Sequence, residues 1–476
     1  MRHILLAAIL TAILLAGATT IPGRAQNPAQ VIPGADANKD PLPITPRILP
    51  DNPVRLGGVY ISGLGTQSDS STSQPNVEKL SAANVDWIAA NCDVIALSPT
   101  DIDRDTFPTI IKKQKLFTPL LYLYASSLHE TDHRGSIGRW QPDMEKWALR
   151  RADGSEVPHP EHGGHWMDFA DANWAEFWKG RLNTLTQEYG AFGVAAAELP
   201  LGNTFVGNDL QHYHNSADRA EATLKWLQVV RKGYRNLIIP SAIGFDLAAG
   251  HVTPEPNTPF TAPALIPRLW NDFFALTDGA WCEGWVQPYW DRLPLAESLW
   301  ETQMQAADRA GRMGQVFIAG AAYRNDKELE FALASYLLIV HNQGRVVFQP
   351  MPVRPGERPD SGFSLATLKR EVRSKPGFFR IPLGRGMQER HQVPAVGGPV
   401  WRRNFQFGDV YVNSDENKSV SVLFAGNLRR VDGKVVRRVD LPPHTGAILL
   451  YTSESSTKKA ASANGKTQAK RKKGRR

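Results

Sequence analysis

The 476-residue sequence predicts an α/β fold: a (β/α)8 barrel followed by a small antiparallel β domain. Three observations carry this. Short continuous apolar runs alternate with helical patterns, and strands of that kind are buried on both faces, as in a parallel sheet. Eight such units fit into roughly 300 residues, the size of a closed barrel with insertions. From Gly377 onward short strands follow one another across turn residues with no helix between them.

The first strand is read at 56–61, in the run Leu56-Gly57-Gly58-Val59-Tyr60-Ile61, and a helix at 77–90 leads to the second strand at 93–97. A helix at 107–113 precedes the third strand, 116–124. The stretch 174–189 carries a helical stripe through Phe177, Leu182 and Leu185 and feeds the fourth strand, 193–197. Helix 220–232 and strand 236–240 follow, then helix 266–276 and a sixth strand at 280–286. Helix 294–310, strand 316–319, the strongly apolar helix 327–341 and strand 345–348 complete the count. An open, doubly wound sheet is the structural alternative, but no G-x-G-x-x-G follows the first strand. In the C-terminal part, strands are expected at 400–412, 419–424, 434–440 and 446–451, separated by Asn413-Ser414-Asp415, Asp432-Gly433 and Pro442-Pro443-His444.

The two ends stand apart from this pattern. Met1-Arg2-His3 followed by an apolar run and small residues has the anatomy of a secretory signal peptide over 1–25. A Pro-rich linker is assigned to 26–54, the barrel to 55–376, the β module to 377–453 and a basic tail to 454–476. From Thr457 to Arg476 that tail holds nine Lys and Arg residues and no acid, more than the whole net charge of +8, so the remainder is close to neutral. A tail of this composition is expected to be disordered, with an anionic surface polymer as its partner if it has one; nucleic acid and a membrane span are not expected. The expected location is secreted or periplasmic. Cys92 and Cys282 both sit in apolar runs and read as buried small residues.

Chemistry in such a barrel belongs at the C-terminal ends of the strands. Glu198 follows the fourth strand and Glu283 lies in Trp281-Cys282-Glu283-Gly284-Trp285 at the sixth, and a carboxylate abutting an apolar strand is costly to bury without a purpose. Asp246 follows the fifth strand, and Tyr323 and Arg324 end the seventh. Trp166, Trp281, Trp285, Tyr289 and Trp290 gather near the fourth and sixth strands, and flat indoles complement the C–H faces of sugar rings. Asp168 and His212 complete the expected substrate contacts. Alternation places Trp281, Glu283 and Trp285 on one face, where apolar neighbours favour the neutral acid; the loop after Glu198 offers donors that favour its charged form. His159, His162 and His165 have spacing that could hold a loop metal, but Pro and Gly interrupt it, and neither a metal nor a cofactor is expected. The sequence has no G-x-S-x-G elbow, Walker loop or H-E-x-x-H.

The run from Trp166 through Asp168 and Asn173 to Trp178 resembles a W-x-D-x-x-N-P-x-W-x-x-F/Y stretch of hypothetical glycoside hydrolases. Pro382-Leu383-Gly384-Arg385, the run from Trp401 to Asn413, and Leu441-Pro442-Pro443-His444-Thr445-Gly446 are similar to the β-module motifs of the same group. The resemblance implies a catalytic barrel with a C-terminal β module that cleaves glycosidic bonds of an oligo- or polysaccharide. By analogy with barrels carrying carboxylates after strands four and six, it implies Glu198 as nucleophile and Glu283 as acid/base in a retaining reaction. An amylase-like arrangement would nominate Asp246 instead of Glu283. Where the group's fourth strand ends in Asp this chain has Ala197-Glu198, and that departure keeps a catalytically inactive, glycan-binding barrel tethered by its tail as the alternative.

Overall fold

The computed structural model describes residues 52–60, 79–129, 135–159, 164–199, 206, 209–241, 272–287, 294–341, 345–353 and 364–452. The expected signal segment, the tail and most of the linker lie outside the described residues. In chain order the first ten strands are β1 (Leu56–Tyr60), β2 (Cys92–Leu97), β3 (Thr118–Tyr124), β4 (Ser127–His129), β5 (Gly164–Trp166), β6 (Gly193–Ala197), β7 (Leu237–Pro240), β8 (Gly279–Cys282), β9 (Val316–Tyr323) and β10 (Arg345–Pro352). Helices between them include α1 (Ala82–Asn91), α2 (Thr106–Lys113), α3 (Ala172–Tyr189), α4 (Ser216–Gly233), α5 (Glu297–Arg312) and α6 (Asp326–Ile339).

Eight of these strands form one parallel sheet in the order β7-β6-β3-β2-β1-β10-β9-β8, while β4 and β5 pair as a separate hairpin. The outermost strands approach one another: Ser241 bridges to Trp281 in parallel sense, and the Asp278 N–H donates to the Ile238 carbonyl at 2.9 Å. The sheet is therefore a nearly closed barrel, as the repeat of apolar runs predicts. At β1 and β10 the ladder is short, and the Gln349 side chain extends it by accepting from the Val59 N–H (3.2 Å) and donating to the Val59 carbonyl (2.8 Å).

The strands read as unbroken apolar text because each alternates between two cores. Ala96, Leu120, Tyr122, Tyr124, Ala195 and Ile239 join the cluster inside the barrel. Ile95, Leu97, Leu121, Leu123, Val194 and Ile238 join the larger one beneath the helices. The sixth strand is shorter than its apolar text and stops at Cys282.

After α7 (Leu365–Ser374) and a short α8 (Pro376–Phe379), the β module comprises β11 (His391–Ala395), β12 (Gly398–Asn404), β13 (Gly408–Asn413), β14 (Val420–Arg430), β15 (Val435–Leu441) and β16 (Thr445–Tyr451). These pair antiparallel in the order β11-β12-β13-β16-β14-β15. The single strand expected at 400–412 is two, because Phe405 N–H donates to the Gly408 carbonyl across a tight turn. Val410, Val412, Ile448 and Leu450 point to the barrel's outer core, while Tyr411, Ala447 and Leu449 point to the module's own.

Helix α6 lies beneath this sheet. All eleven residues from Leu329 to Ile339 are buried, which explains a helix with no polar face. Its Glu330 is held by Arg430 (2.8 Å) and the Ile448 N–H (3.2 Å) of the module. A Cβ at Gly446 would lie 2.6 Å from the Ala334 Cβ, closer than packed carbons approach. Gly446→Val is accordingly expected to cost about 1–3 kcal/mol through overpacking. Urea unfolding of the variant checks this, and an unchanged midpoint would mean that the module does not seat on α6.

Candidate active site

The strand ends of β3, β6 and β8 converge at one mouth of the barrel. Strand β3 is fixed from outside by α3, whose Trp174 and Trp178 indoles donate to the carbonyls of Ala125 (3.2 Å) and Tyr124 (3.0 Å). This anchors the segment that presents Ser126 and Ser127. At the end of β6, strict alternation would turn Glu198 outward, since Ala197 faces the interior. Glu198 instead adopts a left-handed backbone with φ 53°, and its N–H donates to Ser241 Oγ at 2.9 Å. Such a conformation costs about 1–3 kcal/mol in a non-glycine residue and recurs at functional sites.

The turn brings the Glu198 carboxylate over the mouth. Ser126 Oγ donates to its Oε2 at 2.9 Å, Ser127 Oγ stands 3.4 Å from the same oxygen, and His159 Nε2 lies 3.2 and 3.3 Å from Oε1 and Oε2. His159 is itself buried among rings, 4.4 Å from Trp166 and 5.4 Å from His129 between centroids. Behind Trp166 sits Arg219 of α4, 1% exposed, its guanidinium 5.9 Å from the indole centroid. Burial pushes the Arg219 pKa down to about 10, against the opposing pull of Tyr213, Asp168 and Glu198.

Glu283 immediately follows β8, two residues beyond the inward-facing Trp281. Gly320 on the neighbouring strand leaves room for it, for a Cβ there would meet the Cys282 carbonyl at 2.8 Å and the Glu283 Cα at 3.3 Å. Protein crowds the carboxyl, so burial raises its pKa to about 8, and the nearby charge of Glu198 adds to the rise. Tyr122 lies beside both: its ring meets Trp281 edge-on at 6.2 Å, and both Glu198 and Glu283 raise its already burial-elevated pKa.

Of the residues expected at the site, Glu198, Glu283, Trp281 and Trp166 share this mouth. Asp168 is buried alongside, where it accepts from Tyr213 OH, His212 Nδ1 and the Ala170 N–H, so protein donors already occupy its oxygens. His212 is half exposed at the outer side of that pair. Three others point elsewhere. Trp285 does not share the face of Glu283, because the strand ends before it; it is fully buried under the helices and donates to the Ala332 carbonyl at 3.2 Å. Tyr323 faces α7, donating to Glu371 at 2.8 Å, and Arg324 forks onto Glu328 at the surface. Asp246, Tyr289, Trp290 and His162 lie outside the described residues. The remaining loop histidines take separate partners, His159 on Glu198 and His165 on Glu156 with its ring stacked 3.8 Å from Trp140.

No family model and no curated protein sequence matches the chain. Among solved structures it has distant likenesses to glycoside hydrolases. The glycoside hydrolase domain of PelA from Pseudomonas aeruginosa is 13% identical, over 63% of this chain and 94% of that one, with a TM-score of 0.37. The maltogenic α-amylase AmyB from Thermotoga neapolitana is 10% identical, over 83% and 98%, with a TM-score of 0.44. An α-amylase from Geobacillus thermoleovorans, complexed with acarbose, is 10% identical over 83% and 98%, with a TM-score of 0.40.

Several residues at the mouth escape a reading by strand ends alone. Tyr122 and Tyr124 alternate with Leu121 and Leu123 in β3, a signal that two hydroxyls face inward near the top of a strand. Arg219 carries no such signal, since an arginine in the first turns of an amphipathic helix is ordinarily solvated.

Proposed function

We propose that the chain is a glycoside hydrolase acting on an oligo- or polysaccharide with Glu198 and Glu283 as its catalytic pair. The observation that carries this reading is the unlike setting of two carboxyls at one mouth. Glu283 holds its proton up to about pH 8, while Glu198 beside it faces hydroxyl and imidazole donors. A neutral acid next to a donor-held carboxylate is the division of labour that glycosidic cleavage requires.

In the proposed reaction a Glu198 oxygen attacks the anomeric carbon as the bond to the leaving oxygen breaks. Glu283 delivers its proton to that oxygen. The Glu198 Oε2 is engaged by Ser126, Ser127 and His159 and Oε1 by His159 alone, so Oε1 is the less encumbered oxygen for the new bond. Water then enters on the vacated side, Glu283 takes its proton, and the C–O bond to Glu198 breaks. Two displacements return the original anomeric configuration. Time-resolved NMR of the newly formed hemiacetal tests this, with the substrate's own anomer expected first; the opposite anomer would assign Glu283 and a partner to an inverting reaction.

The rate should also fall as pH rises through about 8, because Glu283 then loses the proton that it must donate. A kcat/KM profile checks this, and a rate that holds to pH 10 would remove Glu283 from the acid role. Export, with removal of the 1–25 segment, remains part of the proposal on the anatomy of that segment; N-terminal sequencing of the mature protein tests it.

A further inference from the structure

A second site, independent of the barrel mouth, lies where the β module meets the barrel. The ends of α5 and α6 and the segment before β11 enclose a cleft of about 480 Å³, room for a sugar-sized molecule. Its walls include Asp308, Arg312 and His341 from the barrel, and Met387, Arg390 and Arg403 from the module side.

Most of the charge here is matched. Arg312 donates to Asp308 (2.8 Å) and Glu389 (2.7 Å), His341 is 2.8 Å from Asp308, and Arg390 forks onto Glu301 with two bonds of 2.7 Å while lying 4.6 Å over Trp401. Arg403 differs. It is 6% exposed, yet its hydrogen bonds go to neutral carbonyls: Nε to Gln388 (3.1 Å) and Nη1 to Leu337 (3.0 Å). Its guanidinium is held between the Phe405 ring, 5.2 Å away, and Gly386, where a Cβ would lie 2.6 Å from Nη2. That Nη2 has no hydrogen-bond partner among the described residues, is not sealed from solvent, and belongs to the wall of the cleft.

The carbonyl at the end of α6 takes one bond of the cation but does not neutralise it. A guanidinium this deeply buried is stable when an oxyanion completes its fork. Burial pushes the Arg403 pKa down to about 10, with Asp308 and Glu389 pulling the other way from beyond bonding distance. We infer that the cleft binds a small oxyanion-bearing molecule, a phosphate or a carboxylate on a sugar-sized body, with Arg403 Nη2 as its anchor. Occupancy would tie the barrel to the module, since the lining comes from both.

Thermal unfolding of the full chain with inorganic phosphate, glucose 6-phosphate, glucuronate or neutral glucose tests this. At a hundredfold excess over Kd, the oxyanion that fits is expected to raise the Tm by about 2–5 °C and to saturate, while glucose does nothing. Phosphate acting alone would assign a free oxyanion, and a response restricted to glucose 6-phosphate or glucuronate would assign the phosphorylated or carboxylated sugar. Arg403→Lys loses the planar fork and should abolish the rise. In case that variant fails to fold, Met387→Glu puts a negative charge on an exposed residue of the same wall and should weaken binding at least tenfold. No saturable rise with any oxyanion, or an equal rise in the Met387→Glu chain, overturns the inference.

Discussion

Replacing Glu198 by Ala is expected to lower turnover by about 10⁵-fold, the scale of removing a covalent nucleophile from an otherwise intact site. The protein should remain folded, since the left-handed backbone at Glu198 is held through its N–H on Ser241 and the side chain is only part-buried. Ala is strained there as well, so no relief of backbone energy is expected either. What the truncation leaves is informative. Ser126, Ser127 and His159 would still direct donors at the space of the lost carboxylate, with the buried charge of Arg219 behind them. A small anion suits that space. Azide should therefore restore part of the rate and yield a glycosyl azide of opposite anomeric configuration, measured by NMR. Loss of rate without rescue, with donors in place, would make Glu198 a binding residue.

Glu283→Gln is expected to cost about 10²–10⁴-fold in turnover while making the protein more stable at alkaline pH. The sign follows from the direction of the shift. Below about pH 4.5 the folded and unfolded chains both hold the Glu283 proton; between that and about 8 only the folded chain does. The unfolded state then binds fewer protons, so stability falls as pH rises through this window and levels off above it. The displacement from 4.5 to about 8 corresponds to roughly 4–5 kcal/mol as an upper bound. Gln carries no proton to lose, so its stability relative to the parent should climb by several kcal/mol between pH 5 and pH 9. All other titrating groups are common to both proteins and cancel to first order. Paired urea unfolding at the two pH values measures this, and a difference that does not change with pH would mean that Glu283 is not buried in its neutral form. Activity and stability are thus opposed at one residue, the usual mark of a site kept strained for function.

The barrel was legible because its strands are buried on both faces, which makes apolar runs such as 116–124 and 316–319 visible without knowledge of their partners, although the second of these strands continues to Tyr323. Helix α6 was equally visible as a strongly apolar stretch, but the sheet that covers it and accounts for its lack of a polar face was not. Local turns were harder. The break at Phe405 between β12 and β13 depends on one backbone bond to Gly408, and apolar alternation runs straight through it. The site divides along the same line. Glu283 follows from alternation with Trp281, but Trp285 does not, because the strand ends and the period of two ends with it. Glu198 sits at the right strand end, yet its direction rests on a positive φ that no periodicity reveals. The donors that surround it, Ser126 and Ser127 just after β3 and His159 from its loop, come together only through closure of the barrel, with Arg219 of α4 behind Trp166.

Release of new reducing ends from a panel of oligo- and polysaccharides, by the parent protein with Glu198→Ala and Glu283→Gln alongside, tests the central claim most directly. The account predicts that the parent cleaves at least one saccharide in the panel, that neither variant does so at more than about a hundredth of its rate, and that both variants still bind it. A parent protein that binds a saccharide of the panel but releases no ends from any, or variants that cleave as fast as it does, would contradict a catalytic pair at the barrel mouth.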